Sequence, residues 1–250
     1  MSTLLKQSSK DLFPLGSYWE LKKSVNGFSS VYGDVLATQA LEGRSFEVLE
    51  YRENFNNQFL CDYLKVRLLE DGYICWFRIT DLLGQVSQSV KFEPTLLSFK
   101  QIRSRNFLIL DWIQECSNQP NKYLWGGTTG PDFDCSGLVQ ASFSSQGIWV
   151  PRDAYQQEEF SISLEASLYN LDLLCPGDLV FFGTSLRCNH VGIYKGNGFY
   201  WHSSGVEHGH NGIALDSLTS VEADSVASYY REHFRGAGRV ECCHDGTTLP

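Results

Sequence analysis

The order of the apolar patterns along the chain constrains its fold more than any other feature. Between Val31 and Arg78, short runs of β-branched and aromatic residues alternate with polar ones, as at Leu64, Val66 and Leu68. Alternation with a period of two is typical of half-buried strands. Asp71-Gly72 between two such runs predicts a hairpin turn, because glycine supplies the positive φ that tight turns need. We therefore predict a small β-barrel in this part of the chain.

The rest of the chain begins with helical patterns and ends with strands. Phe107, Leu110 and Ile113 have helical spacing, and a second helix is predicted from Cys135 to a left-handed Gly147. Five strand-like runs follow: Asp178–Phe182, His190–Tyr194, Phe199–Ser203, Gly212–Leu215 and Ala227–Arg231. Helices followed by antiparallel strands indicate an α+β fold. The predicted division is a barrel domain over 1–95, a linker over 96–104 and a second domain over 105–250.

Composition and charge exclude several classes of function. The 29 acidic and 20 basic residues give a formal net charge of −9, which argues against nucleic acid as a partner. No apolar stretch is long enough to span a membrane, and the N-terminus shows neither a signal-peptide core nor a lipobox, so we expect a cytoplasmic protein without a membrane partner. The eight cysteines lack the spacing of a metal site, and no metal or other cofactor is expected.

One cysteine has the local sequence of a nucleophile. Cys135 follows a glycine-rich stretch and begins a predicted helix, whose unpaired N–H groups favour a thiolate and can stabilise an oxyanion beside it. His190 and His202 lie in successive predicted strands joined by a turn at Gly196-Asn197-Gly198, so the two imidazoles can meet. One would activate Cys135 and the other would orient the first. Spacing alone leaves open a buried thiol and two core histidines.

Six segments resemble the NlpC/P60 cysteine peptidases and occur in that family's order. They are YLWGG (123–127), FDCSGLVQ (133–140), PRDAYQQ (151–157), PGDLVFF (176–182), HVGIY (190–194) and WHSS (201–204). The resemblance implies a papain-like fold with Cys135 as nucleophile, His190 as base and His202 as the third, orienting residue. Residues 31–50 and 63–77 are similar to bacterial SH3 domains, although Cys75 stands where a glycine usually precedes Trp76.

The resemblance also implies a substrate. Relatives with an SH3-like domain are γ-D-glutamyl-diamino-acid endopeptidases, which cleave the bond between D-glutamate and the diamino acid of a peptidoglycan stem peptide. Together with the expected location, this predicts muropeptides with a free N-terminal L-alanine as substrates during cell-wall recycling or turnover. The sequence does not decide between diaminopimelate and lysine. Open alternatives are a papain-like amidase or acyltransferase on another substrate, a peptidoglycan-binding protein with an inert peptidase domain, and a secreted wall-degrading toxin.

Five further residues are predicted to bind substrate, each with a structural alternative. Tyr123 would direct its hydroxyl into the site or serve as a core aromatic. Asp134 would face the substrate's amine, cap the helix, or do both. Ser136 would contact substrate or bond only within the first helical turn, and Arg152 would pair with a substrate carboxylate or tie its loop to the domain. Trp76 would wall the site or fill the core of the barrel.

The remaining histidines and cysteines have no motif around them. His208, His210, His233 and His244 are interpreted as surface or loop residues. Cys61, Cys75, Cys116, Cys175 and Cys188 are interpreted as small structural side chains. The Cys242-Cys243 pair has no role that the sequence indicates.

Overall fold

The computed structural model of the protein describes residues 9–52, 63–90, 92–219, 222–223 and 225–247. Its backbone contacts divide the chain into two compact units, Met1–Pro94 with Asp245–Pro250, and Thr95–His244. Cys61 lies outside the described residues. Among the helices of the described part, none has both the length and the apolar character needed to cross a membrane.

The first unit is built on one antiparallel sheet. Its strands are β1 (Tyr18–Leu21), β2 (Val25–Phe28), β3 (Leu36–Ala40), β4 (Ser45–Arg52), β5 (Tyr63–Leu68), β6 (Ile74–Arg78) and β7 (Val86–Ser89), with the short helices α1 (Ser9–Leu12) and α2 (Ile79–Leu82). The strand order is β3-β2-β6-β5-β4-β1-β7. Leu64, Val66 and Leu68 of β5 are all buried while the residues between them are partly exposed, so the strand-rich first domain is confirmed.

The side chain of Cys75 in strand β6 packs against Gly27 of the neighbouring strand β2, in the space that a larger residue at position 27 would fill. A Cβ atom on Gly27 of β2 would lie 2.7 Å from the Cys75 sulfur, so the two strands approach closely because one of the pair is glycine. Trp76 lies opposite Phe28 and packs with Phe28, Val31 and Tyr63. Trp76 therefore contributes to the packing of its own unit, and its role in the site stays a prediction.

The second unit is an α+β domain, as predicted. Its helices are α3 (Phe99–Arg103), α4 (Asn106–Ser117), α5 (Cys135–Ser144), α6 (Ala154–Phe160) and α7 (Val226–Glu232). Its strands are β8 (Ile162–Leu164), β9 (Leu179–Gly183), β10 (Cys188–Gly196), β11 (Phe199–Ser204), β12 (Gly212–Ser217) and β13 (Phe234–Arg239). The sheet order is β12-β11-β10-β9-β13-β8, with every neighbouring pair antiparallel. Helix α5 packs against β10 and β11, and this contact brings the candidate site together.

The turn predictions are confirmed by the backbone. Gly72 in the β5–β6 hairpin has a φ of 67°, and Gly147 after α5 has a φ of 71°. Asn197 and Gly198 join β10 to β11 with φ values of 55° and 81°. These left-handed positions suit glycine and, less often, asparagine.

In the second unit one predicted strand is wrong, and two strands, β8 and β13, were not predicted. Residues 227–231 lie in helix α7, which Ser225 caps by accepting a hydrogen bond from the N–H of Ser228 at 3.1 Å. Strand β13 has the sequence FRGAGR, which lacks β-branched residues. It pairs with β9. A Cβ on Gly238 would lie 2.6 Å from the Cβ of Ser161 and 3.1 Å from the ring of Phe181 in β9, so a glycine fits at this position.

Candidate active site

Helix α5 begins at the candidate nucleophile. Asp134 is its N-cap residue and Cys135 its first helical residue. The cysteine side chain is buried and belongs to the hydrophobic core of the second unit. Its sulfur accepts hydrogen bonds from the backbone N–H of Ser136, one position along the helix, and from the backbone N–H of Val191 of β10. Because Val191 follows His190, this contact places the thiol beside the strand that carries the candidate base.

The carboxylate of Asp134 holds the start of α5 in place. One oxygen accepts from the Gly137 N–H at 2.6 Å, and the other accepts from the Gly126 N–H at 2.8 Å. The guanidinium of Arg152 donates to both oxygens, at 2.6 and 3.1 Å, and to the hydroxyl of Ser136 at 2.9 Å. Arg152 is only 2% exposed. The glycine-rich loop, the helix and the loop after it are thus joined through one buried ion pair.

For three of the predicted substrate-binding residues, these contacts match the structural role that was the alternative to binding substrate. Asp134 caps α5, Ser136 bonds within the buried network, and Arg152 ties its loop to the domain. Direct contact of their side chains with substrate stays a prediction. Since each of these side chains is buried, the network serves first to fix the backbone on which Cys135 lies.

The environment of Cys135 keeps the resting sulfur protonated. Burial raises the pKa of the thiol to about 12, and the nearby charge of Asp134 acts in the same direction. The N–H groups of Val191 and Ser136 and the charge of Arg152 oppose this shift without overcoming it. The expectation of a resting thiolate at the helix start is therefore wrong, because desolvation outweighs the favourable N–H groups. The thiol must lose its proton to a base as it attacks.

We expect the alkylation rate of Cys135 by iodoacetamide to rise about tenfold per pH unit between pH 6 and 9, without a plateau. The thiolate fraction grows in this way as long as the pH stays below the pKa. Mass spectrometry of the peptide that contains Cys135 gives the rate, and the exposed Cys242 is an internal reference in the same sample. A rate that is already high and flat below pH 7 would show a resting thiolate and contradict this prediction.

A row of hydrogen-bonded side chains begins at His190, the residue before Val191. His190 of β10 and His202 of β11 are both buried, and Nε2 of His190 lies 2.8 Å from Nδ1 of His202. Nε2 of His202 lies 2.8 Å from Oδ2 of Asp216 on β12. His210 also directs its Nε2 at that carboxylate, at 3.1 Å. The sheet therefore brings together the two predicted histidines and adds a carboxylate.

The carboxylate fixes which nitrogens carry protons. Although burial acts to raise it, the hydrogen bond and charge of His202, together with His210, hold the pKa of Asp216 below its usual value. As an acceptor only, Asp216 requires Nε2 of His202 to carry the proton. Nδ1 of His202 then accepts from Nε2–H of His190. This leaves Nδ1 of His190 unprotonated, as a base requires.

Both imidazoles are held neutral by their surroundings. Burial lowers the pKa of His190 well below its usual value, and the adjacent His202 adds to this effect. Burial likewise lowers the pKa of His202, partly offset by Asp216. Tyr230 of α7 stacks on the His190 ring with centroids 4.3 Å apart. The candidate base is thus neutral and packed against Tyr230.

Two tyrosines lie close to the sulfur. Burial raises the pKa of the Tyr123 and Tyr230 phenols, and the charge that Cys135 would carry raises both further. Tyr123 was predicted from its motif and is only partly buried. Tyr230 was not predicted, because its segment was interpreted as a strand. Both hydroxyls stay protonated and are available as hydrogen-bond donors.

Sequence reasoning missed Asp216 and the contact that the exposed loop residue His210 makes with it. Asp216 lies in strand β12, where nothing but the pairing of β11 with β12 brings it to His202. His210 bonds to that carboxylate, and its backbone N–H donates to Ser204 at 3.0 Å. His244, interpreted as a surface or loop residue, is only 2% exposed. A polar residue in an apolar strand next to a candidate catalytic strand was the available signal for Asp216.

A buried cysteine at a helix start, beside a hydrogen-bonded row that ends in a carboxylate, defines the class of histidine-activated cysteine nucleophiles. Comparison with known families agrees. Residues 120–239 match the NlpC/P60 family, and residues 30–82 match the bacterial dipeptidyl-peptidase SH3 domain. The chain therefore contains an NlpC/P60 domain preceded by a bacterial SH3 domain.

Several curated proteins are similar to this chain. The gamma-D-glutamyl-L-lysine dipeptidyl-peptidase of Bacillus cereus is 32% identical over 167 residues, covering 65% of this chain and 45% of its own. The murein DD-endopeptidase MepS/murein LD-carboxypeptidase of Escherichia coli is 34% identical over 120 residues, covering 48% of this chain and 55% of its own. The chain thus spans about half the length of each of these relatives.

Among solved structures, an NlpC/P60 family protein from Bacillus cereus is similar with a TM-score of 0.42 and 21% identity, over 90% of this chain and 64% of that one.

Proposed function

We propose that this protein is a cysteine peptidase that cleaves the bond between γ-D-glutamate and the diamino acid of peptidoglycan stem peptides. The observation that carries the proposal is the row from His190 through His202 to Asp216, with the Cys135 thiol beside β10. The match to the NlpC/P60 family and relatives named as peptidoglycan peptidases support the choice of substrate class.

The first half of the proposed reaction forms a thioester. The Cys135 sulfur attacks the γ-carbonyl carbon of D-glutamate while Nδ1 of His190 takes the thiol proton. The backbone N–H of Cys135 itself, at the first position of α5, stabilises the negative oxygen that forms. The C–N bond then breaks as His190 returns the proton to the leaving amine. Proton transfer within a neutral pair suits the buried site, because no charge has to be held there at rest.

The second half of the reaction releases the acid. A water molecule gives one proton to Nδ1 of His190 and attacks the thioester carbon. The C–S bond breaks, and the sulfur recovers the proton from His190. During both halves Asp216 stabilises the positive charge on the imidazole pair by accepting from Nε2–H of His202. No metal takes part in this scheme.

Two features favour soluble, free-amine muropeptides as substrates during cell-wall turnover. Relatives of both domains carry the name dipeptidyl-peptidase, which fits removal of the N-terminal L-Ala–D-Glu pair. The net charge of −9 opposes adsorption to an anionic wall polymer.

The proposal is tested with L-Ala-γ-D-Glu-meso-diaminopimelate and its L-lysine counterpart. We expect the purified protein to release the dipeptide L-Ala-D-Glu from one or both of them, as seen by mass spectrometry. The N-acetylated peptides are expected to be cleaved far more slowly, and insoluble wall to release no product. Cys135→Ala protein controls for contaminating peptidases. Release of a different fragment, or equal release by the Cys135→Ala protein, would contradict the proposal.

A further inference from the structure

Three possible metal ligands meet at the far end of the histidine row. Nε2 of His202, Nε2 of His210 and a carboxylate oxygen of Asp216 all lie within 4.8 Å of one another. The two histidine nitrogens lie 2.8 and 3.1 Å from the same oxygen, Oδ2 of Asp216. Two imidazoles and one carboxylate form a ligand set that suits Zn²⁺.

The backbone holds His210 in this position. Ser204 pairs with Gly212 at the ends of β11 and β12, and the loop between them closes over the carboxylate of Asp216. The Ser204 hydroxyl accepts the His210 N–H at 3.0 Å. A Cβ on Gly209 would lie 2.1 Å from that hydroxyl oxygen, so the loop needs a glycine there. The position of His210 beside Asp216 is therefore fixed by the backbone of its loop.

The spacing and exposure of the three ligands fit an ion that enters from solvent. Bonds of about 2.0–2.1 Å at tetrahedral angles put ligand atoms about 3.3 Å apart. The two nitrogen–oxygen separations, 2.8 and 3.1 Å, therefore need to open by about half an ångström or less, and the two histidine nitrogens lie within 4.8 Å of each other. His202 is fully buried, the Asp216 side chain is 11% exposed and that of His210 is 41% exposed. The exposed ring gives the ion a path in, and the fourth position is left for water.

We propose that His202, His210 and Asp216 form a Zn²⁺ site, and that the bound ion fixes His190 in the protonation pattern that cannot act as a base. Neither half of this proposal, the binding of the ion or the tautomer of His190, depends on enzyme activity. Its consequence for hydrolysis rests on the proposed function, in which Nδ1 of His190 takes the thiol proton from Cys135.

The protons balance without any change in ring charge. In the metal-free row, His202 carries its proton on Nε2 and His190 carries its proton on Nε2. Zn²⁺ takes the Nε2 lone pair of His202, so the ring proton must lie on Nδ1 and must be donated to Nε2 of His190. The proton of His190 then lies on Nδ1, the nitrogen that takes the thiol proton of Cys135 in the proposed function. Each ring keeps one proton and loses none to solvent.

Binding is tested on the full chain with Cys135→Ala, which removes the thiol as a competing ligand. Titration calorimetry with Zn²⁺ is expected to show one site. Adding His210→Ala should weaken that binding by about 100-fold or more, since even outer-shell changes cost 10- to 100-fold. His208→Ala is the matched control, because His208 stacks on Tyr229 and is not one of the three ligands. Absence of binding, or equal loss in both histidine variants, would overturn the site.

The tautomer is read by long-range ¹⁵N–¹H correlation spectra of the same Cys135→Ala protein. On Zn²⁺ addition, the proton of His190 is expected to move from Nε2 to Nδ1, and the His210→Ala protein should show no such move. A spectrum in which His190 keeps its Nε2 proton with Zn²⁺ bound would refute the second half of the proposal. These measurements need no enzyme activity, so their failure is distinct from failure of the proposed function.

The effect on hydrolysis is measured with Cys135 present, in the His208→Ala and His210→Ala proteins. Each protein is assayed once with a chelator and once with Zn²⁺ in slight excess. The ratio of the two rates should be large for the His208→Ala protein and close to one for the His210→Ala protein. Equal inhibition in both variants would place the inhibitory ion at Cys135 instead and contradict the proposal.

Discussion

Replacing Asp216 by asparagine is expected to lower kcat by about 10²- to 10⁴-fold while KM changes little. Asparagine has nearly the same shape, but its amide can donate a hydrogen bond to Nε2 of His202. That ring would then carry its proton on Nδ1 and donate it to His190. Nδ1 of His190 would hold a proton and could no longer accept one from Cys135.

Alanine at position 216 provides the matched comparison. It removes the acceptor without supplying a donor, so His202 can adopt either tautomer and a smaller loss of kcat is expected. The rates are measured in chelator-treated buffer with the stem tripeptide, and thermal denaturation checks that both variants fold. If asparagine and alanine cause the same loss, Asp216 acts through packing or charge alone, and the tautomer argument is wrong.

Much of the candidate site could be predicted because its residues lie in contiguous motifs. Cys135 is adjacent to both its capping residue and its glycine-rich loop, and a helix start is a local property of the sequence. His190 and His202 lie on strands joined by a short turn, where glycine and asparagine indicate the hairpin. Local signals of this kind need no knowledge of the rest of the fold.

Asp216 could not be predicted in the same way, because its position depends on strand register. Asp216 lies opposite Tyr200, while His202 lies opposite Ala214 two residues away, so the carboxylate reaches the imidazole diagonally on one face of the sheet. A slip of one residue would turn Asp216 to the other face. Register is fixed by the packed sheet as a whole, and the local pattern of GIALDS does not contain it.

The ionisation state of Cys135 was mispredicted for a related reason. A helix start favours a thiolate, but Cys135 is only 7% exposed and belongs to a hydrophobic core, and burial acts against the charge. This burial depends on strands β10 and β11, which pack against α5 although they lie more than 50 residues further along the chain than Cys135. Local sequence thus indicates the candidate nucleophile, whereas the tertiary fold decides whether its thiol is protonated at rest.

Replacing Arg152 by methionine is expected to lower the free energy of unfolding of the second unit by about 3–5 kcal/mol. The change leaves the carboxylate of Asp134 charged, buried and without its cation. The same carboxylate caps α5 and accepts from Gly126, so the start of the helix and the glycine-rich loop should loosen together. Urea titration, followed through hydrogen exchange of the α5 amides, measures the loss.

Two comparisons separate the buried ion pair from a general effect of losing an arginine. Arg235 pairs with Glu158 near the surface, with side chains 21% and 28% exposed, and Arg235→Met should cost only about 0–1 kcal/mol. Adding Asp134→Asn to Arg152→Met should restore part of the stability, because asparagine can still cap α5 but carries no charge. If adding Asp134→Asn lowers the free energy of unfolding of Arg152→Met still further, the unpaired charge of Asp134 is not the cause of the first loss.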